Sequence, residues 1–379
     1  MGAYAICFTL TTLFTLIANK EIKNNRKALG LLFSAFAIFV ASFFAGARNP
    51  SVGIDANEYV ITLKNRAINE SFKSYWNNGS YVEIGFRLLI YILTLINNKN
   101  FFILFMIQCI SFSCIYYFAY RKREDISMTL MIVTYLLTCY TNTYTIMRQE
   151  IATGFILLSL LEIEKKKKIK AFLLFLIAMS FHNSAILALI IYFLFAIMDS
   201  KKISKKYKNT IFIFTILIIS AVSVNYKSIL YFFTYKINIL PAKYYNYFSS
   251  DFAREDAVIS FSNYIERVIL LLTGIIYIIK KKDDNEYKKY YLLLLIEAFL
   301  YFSISKTLTN ADRAGVYFKT IGTIYCIPKL TQVVKNNKFN KVLICATIII
   351  TMLVFWIWKY PIKHTRNAYP YIYASRTNE

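Results

Sequence analysis

The sequence predicts an all-α polytopic membrane protein with about twelve transmembrane helices. Of its 379 residues 57% are hydrophobic, against about 45–50% in a soluble globular domain. These residues are concentrated in apolar windows. A helix needs about 20 such residues to cross a bilayer core, and the windows approach this length. Because no polar stretch is long enough to build a separate core, the pattern excludes both a soluble fold and a soluble enzyme on one anchor. Residues 1–379 are therefore predicted to form a single integral membrane domain.

The charge pattern supports the same class. The formal net charge is +24, from 45 Lys and Arg against 21 Asp and Glu, and in a soluble protein this excess would suggest nucleic-acid binding. Here the positive residues form short clusters between apolar windows, as the positive-inside rule describes for cytoplasmic loops. The clusters lie at 20–27, 121–123, 165–170, 201–208, 280–289 and 335–341. We interpret them as topology signals and predict no nucleic-acid partner.

The first windows place the N-terminus outside. Residues 2–18 precede the first basic cluster, and residues 28–46 return the chain to the outer face, where residues 47–83 form an external loop. The window at 84–96 has only 13 residues and carries Arg87. Counting it as a full span would put the next basic cluster outside, so we predict a re-entrant or interfacial half-helix.

The longest apolar stretch, residues 171–198, has lysine clusters at both ends. A single helix cannot begin and end on the same side of a membrane, so this stretch is predicted to be a hairpin of two short helices with His182 at its midpoint. A second external loop is predicted near 226–260, and both chain ends lie outside. The remaining spans are predicted at 101–119, 126–142, 150–163, 210–225, 262–279, 290–305, 314–330 and 342–358.

A small set of charged residues is not explained by topology and maps to the outer face. Ionisable groups at the membrane are energetically costly, so each is a candidate for function. The set comprises Arg48, Asp55, Glu58, Glu83, Arg87, Arg148, Glu150, His182, Arg254, Glu255, Asp256, Glu266, Arg267, Glu297, Asp312 and Arg313.

The arginines of this set are candidates for binding an anion. Arg148 begins a predicted helix, where its guanidinium and the helix amides can bind a phosphate together; the alternative is an arginine that extends to the interface. Arg313 also precedes a span, but it could pair with the adjacent Asp312. Arg48 ends the second span and could serve only to stop it.

Three residues are candidates for accepting a proton. His182 has a side chain whose usual pKa, about 6.5, suits proton transfer near neutrality. Glu83 and Asp55 are alternative bases, and the sequence does not choose among the three. Motifs for metal, nucleotide or dinucleotide binding are missing from the sequence, as is the GxSxG motif. The pattern therefore favours an enzyme without metal or cofactor whose substrate arrives as a phosphate or diphosphate.

Five short motifs follow one another along the chain. They are RNPSVGIDANEY (48–59), EIGFRLL (83–89), MRQEIATGFILLSL (147–160) before a lysine run, FHNSAILAL (181–189) and RAGVYF (313–318). In this order they resemble the EpsG family of Wzy-type polysaccharide polymerases. The most specific element is the RQxxAxG helix start, followed by the lysine run and an apolar stretch with His-x-Ser near its middle.

The resemblance implies a GT-C-like fold and a bacterial inner-membrane enzyme that joins lipid-linked repeat units into O antigen of lipopolysaccharide, capsule or exopolysaccharide. Undecaprenyl-diphosphate-linked glycans would be donor and acceptor in a metal-independent inverting transfer, and a chain-length regulator would be a further partner. The diphosphate ligands would be Arg148, Arg313 and Arg48, and the base would be His182, Glu83 or Asp55.

Other membrane functions remain open at the level of sequence. A glycan flippase or exporter would place its basic residues along a cavity through both leaflets, whereas these charges lie on one face. An O-antigen ligase shares the arginine and histidine chemistry and differs in its acceptor. A membrane acyltransferase usually pairs a histidine with an acid, and His182 has no acidic neighbour in sequence.

Overall fold

In the computed structural model, the described part of the chain is helical and carries only an isolated antiparallel bridge between Arg48 and Tyr373. The structure describes residues 1–79, 81–200, 225–237, 261–304, 313, 315–334 and 337–374, with scattered residues between 203 and 221. Half of the predicted span 210–225 and most of the loop 226–260 lie outside these residues, as do Arg254, Glu255, Asp256 and Asp312.

The helices follow the predicted windows closely. In chain order they are α1 Gly2–Lys23, α2 Lys27–Gly46, α3 Thr62–Asn69, α4 Phe72–Asn78, α5 Ile84–Ile96, α6 Asn100–Arg121, α7 Met128–Thr138, α8 Met147–Glu164, α9 Lys168–Phe181, α10 Ala188–Asp199, α11 Tyr226–Tyr231, α12 Phe261–Lys280, α13 Asn285–Ile304, α14 Val316–Lys329 and α15 Lys338–Ile357.

Four described segments, α1, α2, α6 and Lys338–Ile362, are long and apolar enough to cross a membrane. Shorter apolar helices occupy Ile84–Ile96, Met128–Thr138 and Asn183–Asp199. Over the described residues the protein is therefore an all-helical membrane protein with four candidate spans. The count of twelve and the GT-C-like arrangement stay predictions.

The chain divides into two compact units, Met1–Ile186 with Ile327–Glu379, and Leu187–Cys326. In the first unit, α1 packs on α2, α2 on α6, α6 on α8, and α8 on α9. The α1–α2 contact is close at Gly30, where a Cβ would lie 2.4 Å from Ile22 Cγ1 and 3.2 Å from the Ala18 carbonyl oxygen. Because small side chains let helix backbones approach closely, such contacts stabilise helix pairs that the hydrophobic effect does not drive together in lipid.

The segment predicted as the external loop 47–83 is largely helical. A π-helical turn, Ala56–Ile61, leads directly into α3, and α4 follows. Side chains of this segment share a buried cluster with α5, α6 and α8, which includes Val60, Phe86, Ile107 and Ile151. This cluster fixes the segment against the helices that carry the candidate site.

Two predicted spans are interrupted. The span 126–142 is helical only over α7 and continues as a 3-10 turn, Tyr140–Tyr144, in which the Thr143 hydroxyl donates to the Tyr140 carbonyl. Threonine and asparagine side chains compete with helical backbone bonds in this way. The stretch 171–198 breaks at His182, whose backbone is extended (φ −156°, ψ 124°). The prediction of two short helices there is confirmed.

The second unit contains a buried ion pair. Arg267 of α12 and Glu297 of α13 each have about 2% of the side chain exposed and share two charge-assisted hydrogen bonds, one of them 3.0 Å from Nε to Oε1. The Arg267 guanidinium also lies 3.4 Å from the centroid of the Tyr301 ring. Leaving one of these buried charges unpaired would cost free energy, so the two side chains stay paired and hold α12 against α13.

Candidate functional site

Arg148, in the first turn of α8, lies between a carboxylate and an aromatic ring. Its Nη1 donates to Oε2 of Glu83 at 2.5 Å, and its guanidinium carbon lies 3.8 Å from the centroid of the Tyr59 ring. The two charged side chains are 12% and 11% exposed. Arg148 Nε, which is buried, donates to no atom of the described residues. The guanidinium is thus held in place by Glu83 on one side and by the Tyr59 ring on the other.

Glu83 precedes the first residue of α5 and faces both Arg148 and the end of α9. Its Oε1 accepts a hydrogen bond from the backbone N–H of Asn183 at 3.4 Å. Burial raises the pKa of this carboxyl, but the positive charge of Arg148, the neighbouring His182 and hydrogen bonds together lower it more. The net pKa lies below the ordinary glutamate value, so Glu83 is ionised at neutral pH.

Gly85 explains how α5 reaches the end of α9. A Cβ at this position would lie 2.4 Å from Ser180 Oγ and 2.8 Å from the Ser180 carbonyl oxygen. Only a residue without a side chain permits this approach. The close contact brings Glu83 next to the His182 turn, although 100 residues separate Glu83 from Asn183.

His182 ends α9, and its ring is oriented by the turn that follows. The Ser184 backbone N–H donates to His182 Nδ1 at 3.2 Å, and Ser184 Oγ lies 2.6 Å from the same nitrogen. Because a backbone amide can only donate, Nδ1 is an acceptor and the neutral ring carries its proton on Nε2. Gln149, beside Arg148, donates to Ser184 Oγ at 3.4 Å and connects this turn to α8.

Asp55 caps the helix that carries Arg148. Its Oδ2 accepts the backbone N–H of Met147, the first residue of α8, at 3.0 Å across 92 residues of sequence. A carboxylate is stabilised at a helix N-terminus by the unpaired amides there. The preceding turn depends on Gly53, whose φ of +90° and contact with the Tyr144 backbone exclude a side chain. Asp55 therefore has a structural contact that the sequence did not reveal.

Arg48 and Arg313 lie in other surroundings. Arg48 is 2% exposed; it donates to the carbonyl oxygens of Ala45 and Val52, the latter at 3.1 Å, and stacks 4.0 Å from the Tyr144 ring centroid. With these contacts Arg48 caps the C-terminus of α2. Arg313 belongs to the second unit. The structure thus brings Arg148, Glu83, His182 and Asp55 together in the first unit.

The backbone of the C-terminal segment pairs with the chain that follows α2. The Asn49 N–H donates to the Ile372 carbonyl oxygen at 2.8 Å, and the Gly53 N–H donates to the Asn367 carbonyl oxygen at 2.9 Å. Four further residues contact the site although they were not candidates from the sequence: Tyr59, Gln149, Asn183 and Ser184. Their only sequence signal was proximity to the charged motifs, since polar and aromatic residues are common at span ends.

Comparison with known proteins identifies one family. A model described as the EpsG family matches residues 31–373, which include every residue of the site just described. No curated protein and no solved structure matches the chain.

Proposed function

Because the chain belongs to the EpsG family, whose members are Wzy-type polymerase-like membrane proteins, we propose that it joins undecaprenyl-diphosphate-linked oligosaccharide repeat units into a surface polysaccharide. The proposal rests mainly on the buried Arg148–Glu83 pair, an anion-binding group and a proton acceptor held within 2.5 Å of each other. Glycosyl transfer from a diphosphate needs both of these.

In this proposal Arg148 binds the donor diphosphate. Guanidinium matches phosphate oxygens geometrically and stays charged at every relevant pH. The stacked Tyr59 ring fixes its plane. As the anomeric bond breaks, negative charge builds on the leaving diphosphate, and a fixed guanidinium stabilises that charge more than it stabilises the ground state.

Glu83 is the proton acceptor in this mechanism. A diphosphate that binds Arg148 competes with Glu83 for the same guanidinium. Once this pairing is weakened, burial becomes the dominant influence and raises the pKa of the Glu83 carboxyl. Donor binding therefore makes Glu83 a better base at the moment when the acceptor hydroxyl must lose its proton.

His182 supports the anion rather than taking the proton. With Nδ1 accepting from Ser184, Nε2–H is a hydrogen-bond donor. Such a donor can bind a phosphate oxygen or orient Glu83. Asp55 holds the N-terminus of α8 in place and thereby positions Arg148.

The reaction exchanges one carbon–oxygen bond for another and transfers one proton. The non-reducing-end hydroxyl oxygen of the acceptor unit attacks the anomeric carbon of the donor glycan, and the bond from that carbon to the diphosphate oxygen breaks with inversion. The hydroxyl proton passes to Glu83, and undecaprenyl diphosphate leaves with the bonding electron pair. The lengthened glycan remains on the lipid of the acceptor.

We also propose that the reaction takes place at the outer face of the inner membrane. About twelve spans in the bacterial inner membrane would place the basic clusters in the cytoplasm and the Arg148 site at the outer face, where lipid-linked units meet. The positive clusters and the position of Arg148 at the opposite end of α8 from Lys165 support this orientation. Arg313, in the second unit, is a further candidate for the diphosphate.

Extension of purified lipid-linked repeat units by the purified chain tests the reaction directly. We expect a ladder of glycans that grows by whole repeat units with no added metal or nucleotide. A cell that lacks the gene should still display glycan with one repeat unit. Absence of all surface glycan in that cell would instead support a flippase or an O-antigen ligase, and transfer to a different acceptor in vitro would support the ligase.

Gly85→Ala tests the contact between α5 and α9. The added Cβ would overlap Ser180, so α5 must move away and take Glu83 with it. Misplacement by about 1 Å can cost about 100-fold in rate, and we expect strongly shortened glycan ladders. Gly2→Ala is the matched control because nothing lies within 4 Å of a Cβ there. Ladders of normal length in Gly85→Ala would contradict this role for the contact.

A further inference from the structure

A groove between α6, α8 and α9 lies apart from the Arg148 site. Its volume is about 660 Å³, within the roughly 300–1,000 Å³ typical of ligand sites. The α9 side is formed by Lys170, Leu173, Leu174 and Ile177. These residues follow each other at i, i+3, i+4 and i+7 and therefore form one stripe of the helix. Leu173 is 53% exposed, so the apolar part opens to the surroundings.

Helix α8 repeats this polarity, whereas the α6 residues Ser113, Cys114 and Tyr117 carry no charge. On α8 the groove is lined by Leu158 and then by Glu162, with Lys165 just after the helix end, again four and three residues apart. The charged groups thus gather at one end of the groove, and apolar groups line the rest. From Lys170 to Ile177 the stripe extends about 10 Å, at 1.5 Å per helical residue.

The charged end is positive and partly uncompensated. Lys165 pairs with Glu162. Lys167 and Lys170 also line the groove and are exposed, and both act electrostatically on that same carboxylate of Glu162. Three ammonium groups against one carboxylate leave an excess of two positive charges. These lysines belong to a basic cluster that the positive-inside rule assigns to the cytoplasmic face.

We propose that this groove binds one anionic glycerophospholipid of the cytoplasmic leaflet, with the phosphate at Lys167 and Lys170 and one acyl chain along Leu173, Leu174 and Ile177. Basic pockets between transmembrane helices on this side suit anionic head groups. An acyl chain explains the exposed apolar stripe, which a free phosphate would leave uncovered. The inference depends on membrane insertion and on the lysine cluster, and it does not depend on the glycosyl-transfer reaction.

Native mass spectrometry of the purified full chain tests the site, with phosphatidylglycerol and phosphatidylcholine as probes. We expect tighter binding of phosphatidylglycerol to the unmodified chain. Each lysine near an anionic lipid contributes about a factor of five in affinity, so the double variant Lys167→Gln/Lys170→Gln should bind about 25-fold more weakly. The matched control, Lys281→Gln/Lys282→Gln, removes two charges from another predicted cytoplasmic turn and should leave affinity unchanged.

A second variant separates the acyl site from simple surface charge. Leu174→Trp keeps every lysine but fills the groove, and it should lower the affinity for phosphatidylglycerol at least fivefold. Glycerol 3-phosphate should not compete with the lipid. Equal affinity of the unmodified chain for the two lipids, an equal loss in both lysine double variants, unchanged affinity of Leu174→Trp, or efficient competition by glycerol 3-phosphate would each overturn the proposal.

Discussion

Replacing Arg148 with alanine is expected to abolish chain extension without changing the amount of protein in the membrane. The variant loses the guanidinium that stacks on Tyr59 and contacts Glu83. Removing one preorganised donor to a developing negative charge costs about 10²–10³ in rate, and a lost full charge should cost at least as much. The glycan ladder and an immunoblot of the membrane fraction measure the two effects separately.

Arg66→Ala is the matched control for this variant. Arg66 also pairs with a glutamate, Glu70, at 2.8 Å, but both side chains are more exposed, at 18% and 25%. We expect normal ladders from it. Arg148→Lys should be nearly as inactive as Arg148→Ala, because an ammonium group cannot reproduce the planar fork. Polymers of normal length from either Arg148 variant would contradict the proposed diphosphate contact.

Glu83→Gln is the second substitution with a large expected effect. The amide keeps the shape of the side chain but accepts no proton at neutral pH, so we expect chain extension to fall by about 10²–10⁴, the usual contribution of a general base. Glu70→Gln serves as the control because it breaks the Arg66 pair in the same unit. His182→Ala should shorten the ladders more than Tyr231→Ala does. If Glu83→Gln extends chains normally while His182→Ala does not, His182 is the base.

The difference in stability between the unmodified chain and Glu83→Gln should depend on pH in a defined direction. The pKa of Glu83 in the folded protein lies below the usual glutamate value, which is about 4.3. The Arg148 pair therefore contributes its full stability above that value and loses it as pH falls through the lower pKa of the folded state. Thermal unfolding of the unmodified chain and of Glu83→Gln should differ most at neutral pH and converge in acid. A constant difference across this range would contradict the pairing.

Several features were predictable because they depend on local sequence. The 13-residue window at 84–96 forms α5 with the same bounds, and the break at His182 lies where the lysines on both sides required a turn. The predicted span 150–163 forms a helix that begins at Met147 and ends at Glu164. Run length and flanking charge determine such features without reference to the rest of the chain.

Other features were not predictable. The segment 47–83 looked like a loop because its helices are short and mixed in polarity, and packing of Val60 and Leu63 into the shared cluster stabilises them. The sequence offered both Arg148 and, as a weaker candidate, Arg48 for the diphosphate. Only the structure shows that Arg48 binds backbone carbonyls whereas Arg148 faces Glu83.

The sequence by itself determined that this is a helical membrane protein of the EpsG type with charged residues at one membrane face, because composition and order carry that information. Which of these residues meet was decided only by the tertiary structure. The contacts of Arg148 with Glu83, of Met147 with Asp55 and of Asn183 with Glu83 join residues 65, 92 and 100 positions apart. No local periodicity encodes contacts between residues so far apart in sequence. These contacts result from the close approach of α5 to α9 at Gly85 and from the buried cluster that holds residues 56–63 against α8.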